Sequence, residues 1–357
     1  MPEKTLNQSA RVTLRQLCNL EVPGSLLLPS LLAALRVIVP ADHGAFFYCD
    51  HQGNMVNMYA EKMLPPESMN LYYERFYRND SSAFSKTFLS LAASSDSVSS
   101  RSLSPEEKKA DYYKEILSSL GVEHILYGIV RLNDSTREPI GQLSLYRNAS
   151  SAAFSATDAT ALREVLKYLG KALKVSPFAQ SFHPEEKPVE EAMAIFSLSG
   201  SQIFADENWL RLVRLAKGEP ISPKTAKVEL VAIQEFIKSM VSLAASSKKS
   251  AYVVDSPWGR FAFRHHGLTG EPEQKAIALI VSRLAVGKVL YAEGAAKLGL
   301  SSQQREVALM VSLGKTNAQI ASQLGVSLNT AGYHVKQLFT KLGVHERSSV
   351  AERLRSA

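Results

Sequence analysis

The sequence predicts a multidomain chain: two α+β units, each with an antiparallel sheet, followed by an all-α domain of four helices that contains a helix-turn-helix. Three observations carry this reading. Strand-like runs separated by turn residues fall into two groups, one within 44–146 and one within 192–284. Between the groups lies VSPFAQSFHPEEKPVE, residues 175–190, whose three prolines mark it as a linker. From residue 300 onward the periodicity is helical only, punctuated by Gly314, Gly325 and Gly343. A length of 357 residues suits two or three domains, and 45% apolar with 21% charged content is that of an ordinary globular protein.

The first unit, residues 1–175, opens with a helical pattern over 9–37 in which Leu14, Leu17 and Cys18, then Leu27, Leu28, Leu31, Leu32 and Leu35, recur on one face. Residues 44–49 and 55–59 read as a hairpin turning at Asp50-His51-Gln52-Gly53-Asn54. Leu71 to Tyr77 reads as a tyrosine-rich helix, and the serine- and alanine-rich stretch 90–104 as a surface loop. Ser104 is placed to cap a helix that starts with Pro105 and runs to Leu120. Strands follow at 124–132 and 140–146, joined through Asn133-Asp134-Ser135, and an amphipathic helix over 154–173 closes the unit. This is an α+β order.

In the second unit, residues 191–286, strands at 192–198 and 202–205 flank Ser199-Gly200. Asp206 is expected to cap a helix from Glu207 to Lys217, a second helix covers 228–245, and strands follow at 250–255, 258–265 and 276–284. A short helix within 287–299 joins this unit to the last domain.

That domain, residues 300–357, is the most informative stretch. Ser301 or Ser302 caps its first helix, whose Val307, Met310, Val311 and nearby Leu313 recur at helical spacing as one buried face, and Gly314 stops it. Thr316 caps a short helix, Asn317 to Leu324. The pair Ala321 and Gly325 allows close approach and a tight turn into a third helix capped by Ser327. Ala331, Val335, Leu338, Phe339 and Leu342 form the inward stripe of that helix. Asn329, Gly332, Tyr333, Lys336, Gln337 and Thr340 are left outward, a face with short polar groups, one aromatic, one cation and no acid, suited to a DNA major groove. His334 lies beside the inward stripe, as a buried hydrogen-bonding group or a base contact. Lys341 serves either a phosphate or the helix C-terminus. From residue 300 onward seven basic side chains face three acidic ones, a net of +4, so the positive excess of a chain with net charge +7 gathers here.

These residues resemble the C-terminal DNA-binding domain of LuxR-type transcriptional regulators, a four-helix variant of the helix-turn-helix. The likeness rests on Arg305-Glu306-Val307, Gly314, Asn317, Ile320-Ala321, Leu324, Val326-Ser327, Thr330, His334, Lys341-Leu342-Gly343-Val344 and Arg347. It implies base and phosphate contacts from Thr330, Tyr333 and Lys336, positioning from Thr316, Asn317 and Ser327, and a fourth helix that dimerises through Val350 and Leu354. Double-stranded DNA bound by a homodimer, and RNA polymerase, are the partners it implies. The chain departs from the family at Ala331-Gly332, where the family has a β-branched residue and a lysine. The first unit resembles a GAF-like sensor domain, chiefly through its closing helix FSATDATALREVLKYLGKAL, and the second a PAS-like domain through its order of strands and helices. A small-molecule effector is then implied, with Phe46, Tyr48, Tyr59, Tyr73 and Tyr127 as either pocket lining or plain core.

Other chemistry finds little support in the sequence. G-x-S-x-G, a P-loop, H-E-x-x-H and G-x-G-x-x-G in a strand–helix context are all missing, so no enzyme is expected. His43, Cys49, Asp50 and His51 are metal-capable but sit on a strand and turn with no second cluster, and His265-His266 point to opposite sides of a strand. His124 reads as a hydrogen-bonding residue at a strand start. No metal or cofactor is expected. Two cysteines, an N-terminus without an apolar core segment, and an apolar tract at 25–39 broken by Pro29 and Arg36 together suggest a cytoplasmic protein that does not enter a membrane. The competing reading is a signalling or protein-interaction module whose helix-turn-helix is degenerate.

Overall fold

Two antiparallel sheets of five strands carry the first two units, with strand order β2-β1-β5-β4-β3 in one and β7-β6-β10-β9-β8 in the other. The structure is a computed structural model and describes residues 3–64, 68, 71–132, 138–173, 184–218, 226–246, 251–270 and 275–357. The strands of the first sheet are β1 (His43–Cys49), β2 (Met55–Ala60), β3 (Val98–Ser102), β4 (His124–Arg131) and β5 (Pro139–Arg147). Those of the second are β6 (Pro184–Ser197), β7 (Gln202–Ala205), β8 (Ala251–Ser256), β9 (Gly259–Thr269) and β10 (Lys275–Val286). Numbered within its own sheet, each follows the order 2-1-5-4-3, a kinship the two sequences do not display.

Helices α1 (Glu3–Cys18), α2 (Gly24–Ile38) and α5 (Ala156–Leu173) pack together behind the first sheet. Alternation along β1 sorts its two faces: a side chain at Gly44 would meet Leu32 of α2, while Phe47 turns the other way to stack edge-on against Phe84 of α3 (Tyr77–Ala93).

Several expectations for this unit require correction. The loop expected at 90–104 is instead the end of α3 followed by the edge strand β3. Only Val98 of that strand reaches the core while its serines and arginine face outward, so hydrophobic alternation had nothing to register. The tyrosine-rich segment is longer than expected, with a π-helical turn at Tyr72–Phe76 that runs into α3. Ser104 does form a capping box with Glu107, but the helix it caps, α4 (Pro105–Lys109), is short, and a second π-helical turn, Tyr113–Leu117, carries the chain to Leu120. The irregular turns bring Tyr72 and Tyr112 together, and Tyr72 donates to the Asp80 carboxylate at 2.7 Å. Residues 133–135 lie outside the described residues.

In the second unit the linker expected at 175–190 is partly strand. Residues 174–183 lie outside the described residues, but β6 begins at Pro184 and pairs with β10 through register shifts around Pro188 and Pro184. Proline donates no ladder hydrogen bond, and this is why the stretch reads as a linker by composition. Helix α6 (Trp209–Lys217) starts two residues later than expected, with Asn208 at its cap position and Asp206 accepting from the Asn208 amide at 2.7 Å. Helix α7 (Ala226–Ser246) follows.

The two units share one continuous core. Trp258, 1% exposed, leaves the second unit to lie 6.4 Å from the Tyr48 ring and 6.0 Å from the Tyr59 ring of the first. Ser25 Oγ donates to the Pro257 carbonyl at 2.5 Å across the same seam. Beneath it Glu190 is held by Arg211 and by Arg283 Nη1 at 2.9 Å, while Arg283 Nε donates to the Trp258 carbonyl at 2.9 Å and Arg211 Nη1 to the Tyr59 hydroxyl at 3.4 Å. Burial alone would raise the Glu190 carboxyl, but the charges of Arg283 and Arg211 outweigh it and hold the carboxyl below its usual range. No helix among the described residues is long and apolar enough to cross a membrane.

The seam generates a stability prediction. Glu190→Gln leaves two buried guanidiniums without their shared counter-ion, and the substitution should cost about 3–5 kcal/mol in urea unfolding at pH 7. Because the folded-state pKa is depressed, the carboxylate's stabilisation is present above its unfolded pKa and lost as pH falls through the folded value. The gap between wild type and variant should therefore close on acidification below about pH 4.

Candidate nucleic-acid interface

Four helices follow the short helix α8 (Gly287–Lys297): α9 (Ser302–Ser312), α10 (Asn317–Leu324), α11 (Leu328–Leu342) and α12 (Arg347–Arg355). They enclose a second core in which Val307, Ile320, Ala331, Leu338 and Val350 are each at most 1% exposed. Caps define the starts of three of these helices. Ser301 and Gln304 form a reciprocal box on α9, as Thr316 and Gln319 do on α10. On α11 the Ser327 hydroxyl accepts from the Thr330 amide at 3.1 Å. Each such cap contributes about 1 kcal/mol and, more to the point, fixes where its helix begins. Gly325 ends α10 at φ 65° with no heavy atom near a notional side chain, so the positive φ of the turn is its sole requirement. Arg347 braces the opposite side, donating to the Lys315 carbonyl at 2.7 Å and to the Asn317 side chain.

On this frame α11 buries Ala331, Val335, Leu338 and Leu342 and exposes Asn329, Thr330, Tyr333, Lys336, Gln337, Thr340 and Lys341. Tyr333 is 61% exposed, and α11 contains no acidic residue. The expected contact residues thus gather on one solvent-facing stripe, with Thr316 and Ser327 at the edges where α10 and α11 begin. Two of the named residues are half-buried and hydrogen-bonded to other helices. Asn317 is half-buried with its carbonyl oxygen on Arg347, and half-buried His334 shares a hydrogen bond of 3.3 Å between its Nε2 and the Gln303 amide of α9. Leu328 was not anticipated: it is 57% exposed at the start of α11, an apolar side chain beside Asn329 of the kind that meets a thymine methyl. Its apolar side chain, just after Leu324 and Val326, carries no polar signal of a contact residue.

Three sets of expectations fare differently. Val350 and Leu354, expected to dimerise, are 0% and 1% exposed, so neither presents a surface to a second copy. A Cβ at Gly294 of α8 would stand 2.0 Å from the Leu354 carbonyl, so tightly does α8 cover α12. The aromatic set does not line one pocket. Phe46 is wholly buried, Tyr48 and Tyr59 face the seam, Tyr73 stacks with Tyr72 and Tyr77, and half-buried Tyr127 sits on β4 opposite Ser144. The metal-capable neighbourhood is dispersed. Buried His43 hydrogen-bonds the Leu120 carbonyl at 2.9 Å, Asp50 organises the hairpin turn, and burial pushes the Cys49 thiol up to about 12.

Capped helices crossing at a glycine turn, with an exposed and acid-free third helix, define a helix-turn-helix domain. Residues 298–354 match the family described as bacterial regulatory proteins, luxR family, so this segment is a LuxR-type helix-turn-helix domain. The chain is 45% identical over 49 residues to the probable transcriptional regulatory protein SgaR of Hyphomicrobium methylovorum, covering 14% of this chain and 23% of that protein. It is 42% identical over 52 residues to the transcriptional activator protein EsaR of Pantoea stewartii subsp. stewartii, covering 15% and 21%. The match thus spans less than a quarter of either relative. Among solved structures, the VqmA dimer of Vibrio cholerae aligns at 14% identity over 46% of this chain and 81% of that one, with a TM-score of 0.18. Bacteriophytochrome RpBphP3 of R. palustris aligns at 9% over 77% and 61%, with a TM-score of 0.29.

Two substitutions on α11 follow. A side chain at Gly332 would meet only Asn317 Nδ2 at 3.7 Å, so Gly332→Ala should stabilise the domain by about 1 kcal/mol, seen as a higher urea midpoint. Lys336→Ala should weaken binding to duplex DNA and make the log–log salt dependence shallower by about 1 in anisotropy titrations. An unchanged affinity and slope would place Lys336 outside the interface.

Proposed function

We propose that the chain is a sequence-specific DNA-binding transcriptional regulator whose two N-terminal units sense a small effector or partner and control the C-terminal helix-turn-helix. The observation that carries this reading is the stripe on α11. Asn329, Thr330, Tyr333, Lys336 and Gln337 stand together in solvent with no carboxylate among them, on a helix whose start is fixed by Ser327. Amide, hydroxyl and cationic groups in that order supply donors and acceptors for base edges and phosphates. The two relatives that share this segment are named as transcriptional regulators, which supports the same assignment.

Thr316, Ser327 and Lys341 border the stripe and would serve phosphates, while Asn317 acts through the Arg347 brace. Binding as a homodimer on an inverted repeat, with contact to RNA polymerase, completes the proposal. Since Val350 and Leu354 are buried in the core of the domain, dimer contact through α12 would use its solvent-exposed residues instead. The sheet order common to both N-terminal units supports treating them as GAF-like and PAS-like sensors.

Selection of bound sequences from a random duplex pool by the full chain at near-physiological salt should enrich a two-fold-symmetric motif. Enrichment of nothing, with binding abolished by a modest rise in salt, would instead support an interaction module with a degenerate helix-turn-helix.

A further inference from the structure

A cleft of about 570 Å³ opens where α2 and β2 of the first unit, β6, α6 and β10 of the second, and α8 converge. Its size lies within the ordinary range for small-molecule sites, roughly 300–1,000 Å³. One wall is apolar, from Leu26 and Pro29 of α2 to Val286, Val289 and Leu290 at the start of α8. The other holds ionised groups taken out of water. Arg211 and Arg283 are 8% and 4% exposed and share Glu190, while Glu61 accepts from Arg36 at 3.1 Å and from the Gly44 amide at 2.7 Å. Of the carboxylates that line the cleft, Glu61 is thus taken by Arg36 from outside it, and the two buried guanidiniums Arg211 and Arg283 are left to share Glu190 alone. Tyr59, whose hydroxyl is pushed up to about 12 by burial, adds no compensating charge. Burial likewise raises the Glu61 carboxyl, against the pull of Arg36. At the rim, Lys187 and Lys297 outnumber Glu293. A buried guanidinium excess beside an apolar wall is costly when empty and is relieved by an anion.

We infer that this cleft is a binding site for a small amphipathic carboxylic acid. The carboxylate takes the arginine end, beside Arg283 and Arg211, and a short apolar tail lies along α2 and α8. Arg presents a planar fork matched to a carboxylate, which makes the acid the favoured anion. The site gives the sensing role proposed above a location, and it rests on that reading only for its consequence. Val289, Leu290, Glu293 and Lys297 of α8 line the cleft, and Gly294 of the same helix bears on Leu354 of α12. Occupancy of the cleft is thus read by the helix that covers the helix-turn-helix.

Octanoate titrated calorimetrically into the full chain tests the site, with 1-octanol as the uncharged control. Saturable binding of octanoate, at least tenfold tighter than octanol, is expected. Arg283→Gln should weaken it at least tenfold. Because that variant disturbs the Glu190 network, Ala33→Trp, on the exposed face of α2 at the mouth of the cleft, provides the second arm. It should abolish octanoate binding while leaving the circular dichroism and melting temperature of the chain unchanged. Non-saturable heats, equal binding of octanol, or full binding by a folded Ala33→Trp chain would overturn the site. Octanoate should also shift DNA affinity several-fold in the wild type and not in Ala33→Trp, and an unshifted wild type would remove the readout through α8. Acid binding without selection of any duplex sequence would leave the cleft standing and sink the regulator reading. Sequence selection without acid binding would do the reverse.

Discussion

Glu190 shared between Arg211 and Arg283 is the interaction on which the arrangement of the two N-terminal units turns. The carboxylate comes from β6, one guanidinium from α6 and the other from β10, so the ion cluster first pins the second unit to itself. It then reaches outward, through Arg283 to the Trp258 carbonyl and through Arg211 to Tyr59 of the first unit. Trp258 is a large apolar surface clasped by two tyrosines, and such burial supplies binding energy without direction. The hydrogen-bonded charges supply the direction. A slipped seam would strand guanidiniums in a dry environment, a penalty that selects one docking geometry among many apolar ones.

The same logic recurs where the first unit meets the DNA-binding domain. Arg305 of α9 is 5% exposed and spends its guanidinium on three partners: the Leu300 carbonyl, Thr13 Oγ1 at 3.0 Å and Ser9 Oγ at 2.9 Å. An arginine that reads from sequence as a family signature is here the rivet between α1 and α9. Together with α8 lying on α12, it makes the three units mechanically continuous.

How much of this was legible in the sequence depends on whether the signal was local. The helix-turn-helix was readable almost residue by residue because caps, glycine stops and a 3.6-residue stripe are all short-range; Ser301, Thr316, Ser327, Gly325 and Gly343 each act within a few positions. The outward stripe of α11 was legible for the same reason. The edge strand β3 was not, since one buried valine among serines gives no alternation, and neither was the strand hidden in the proline-rich stretch at Pro184. The seam was beyond reach. Tyr48, Tyr59 and Trp258 look like separate core residues until tertiary structure brings them together, and nothing near Glu190 announces partners 21 and 93 positions away. The burial of Val350 and Leu354 was hidden likewise, because they are enclosed by residues brought together from several helices of the domain and, for Leu354, by α8 at Gly294.

The Arg305 rivet also orders events in time. Its two hydroxyl partners lie in α1, while the arginine follows 292 and 296 residues later. Helix α1 must therefore hold its docking face ready through the synthesis of both sheets, and contacts of such separation close late because chain entropy resists them. The helix-turn-helix, built from neighbouring segments around its own core, needs no such wait. Folding chains should pass through a stage in which the DNA-reading domain is formed and untethered, before α1 docks on α9.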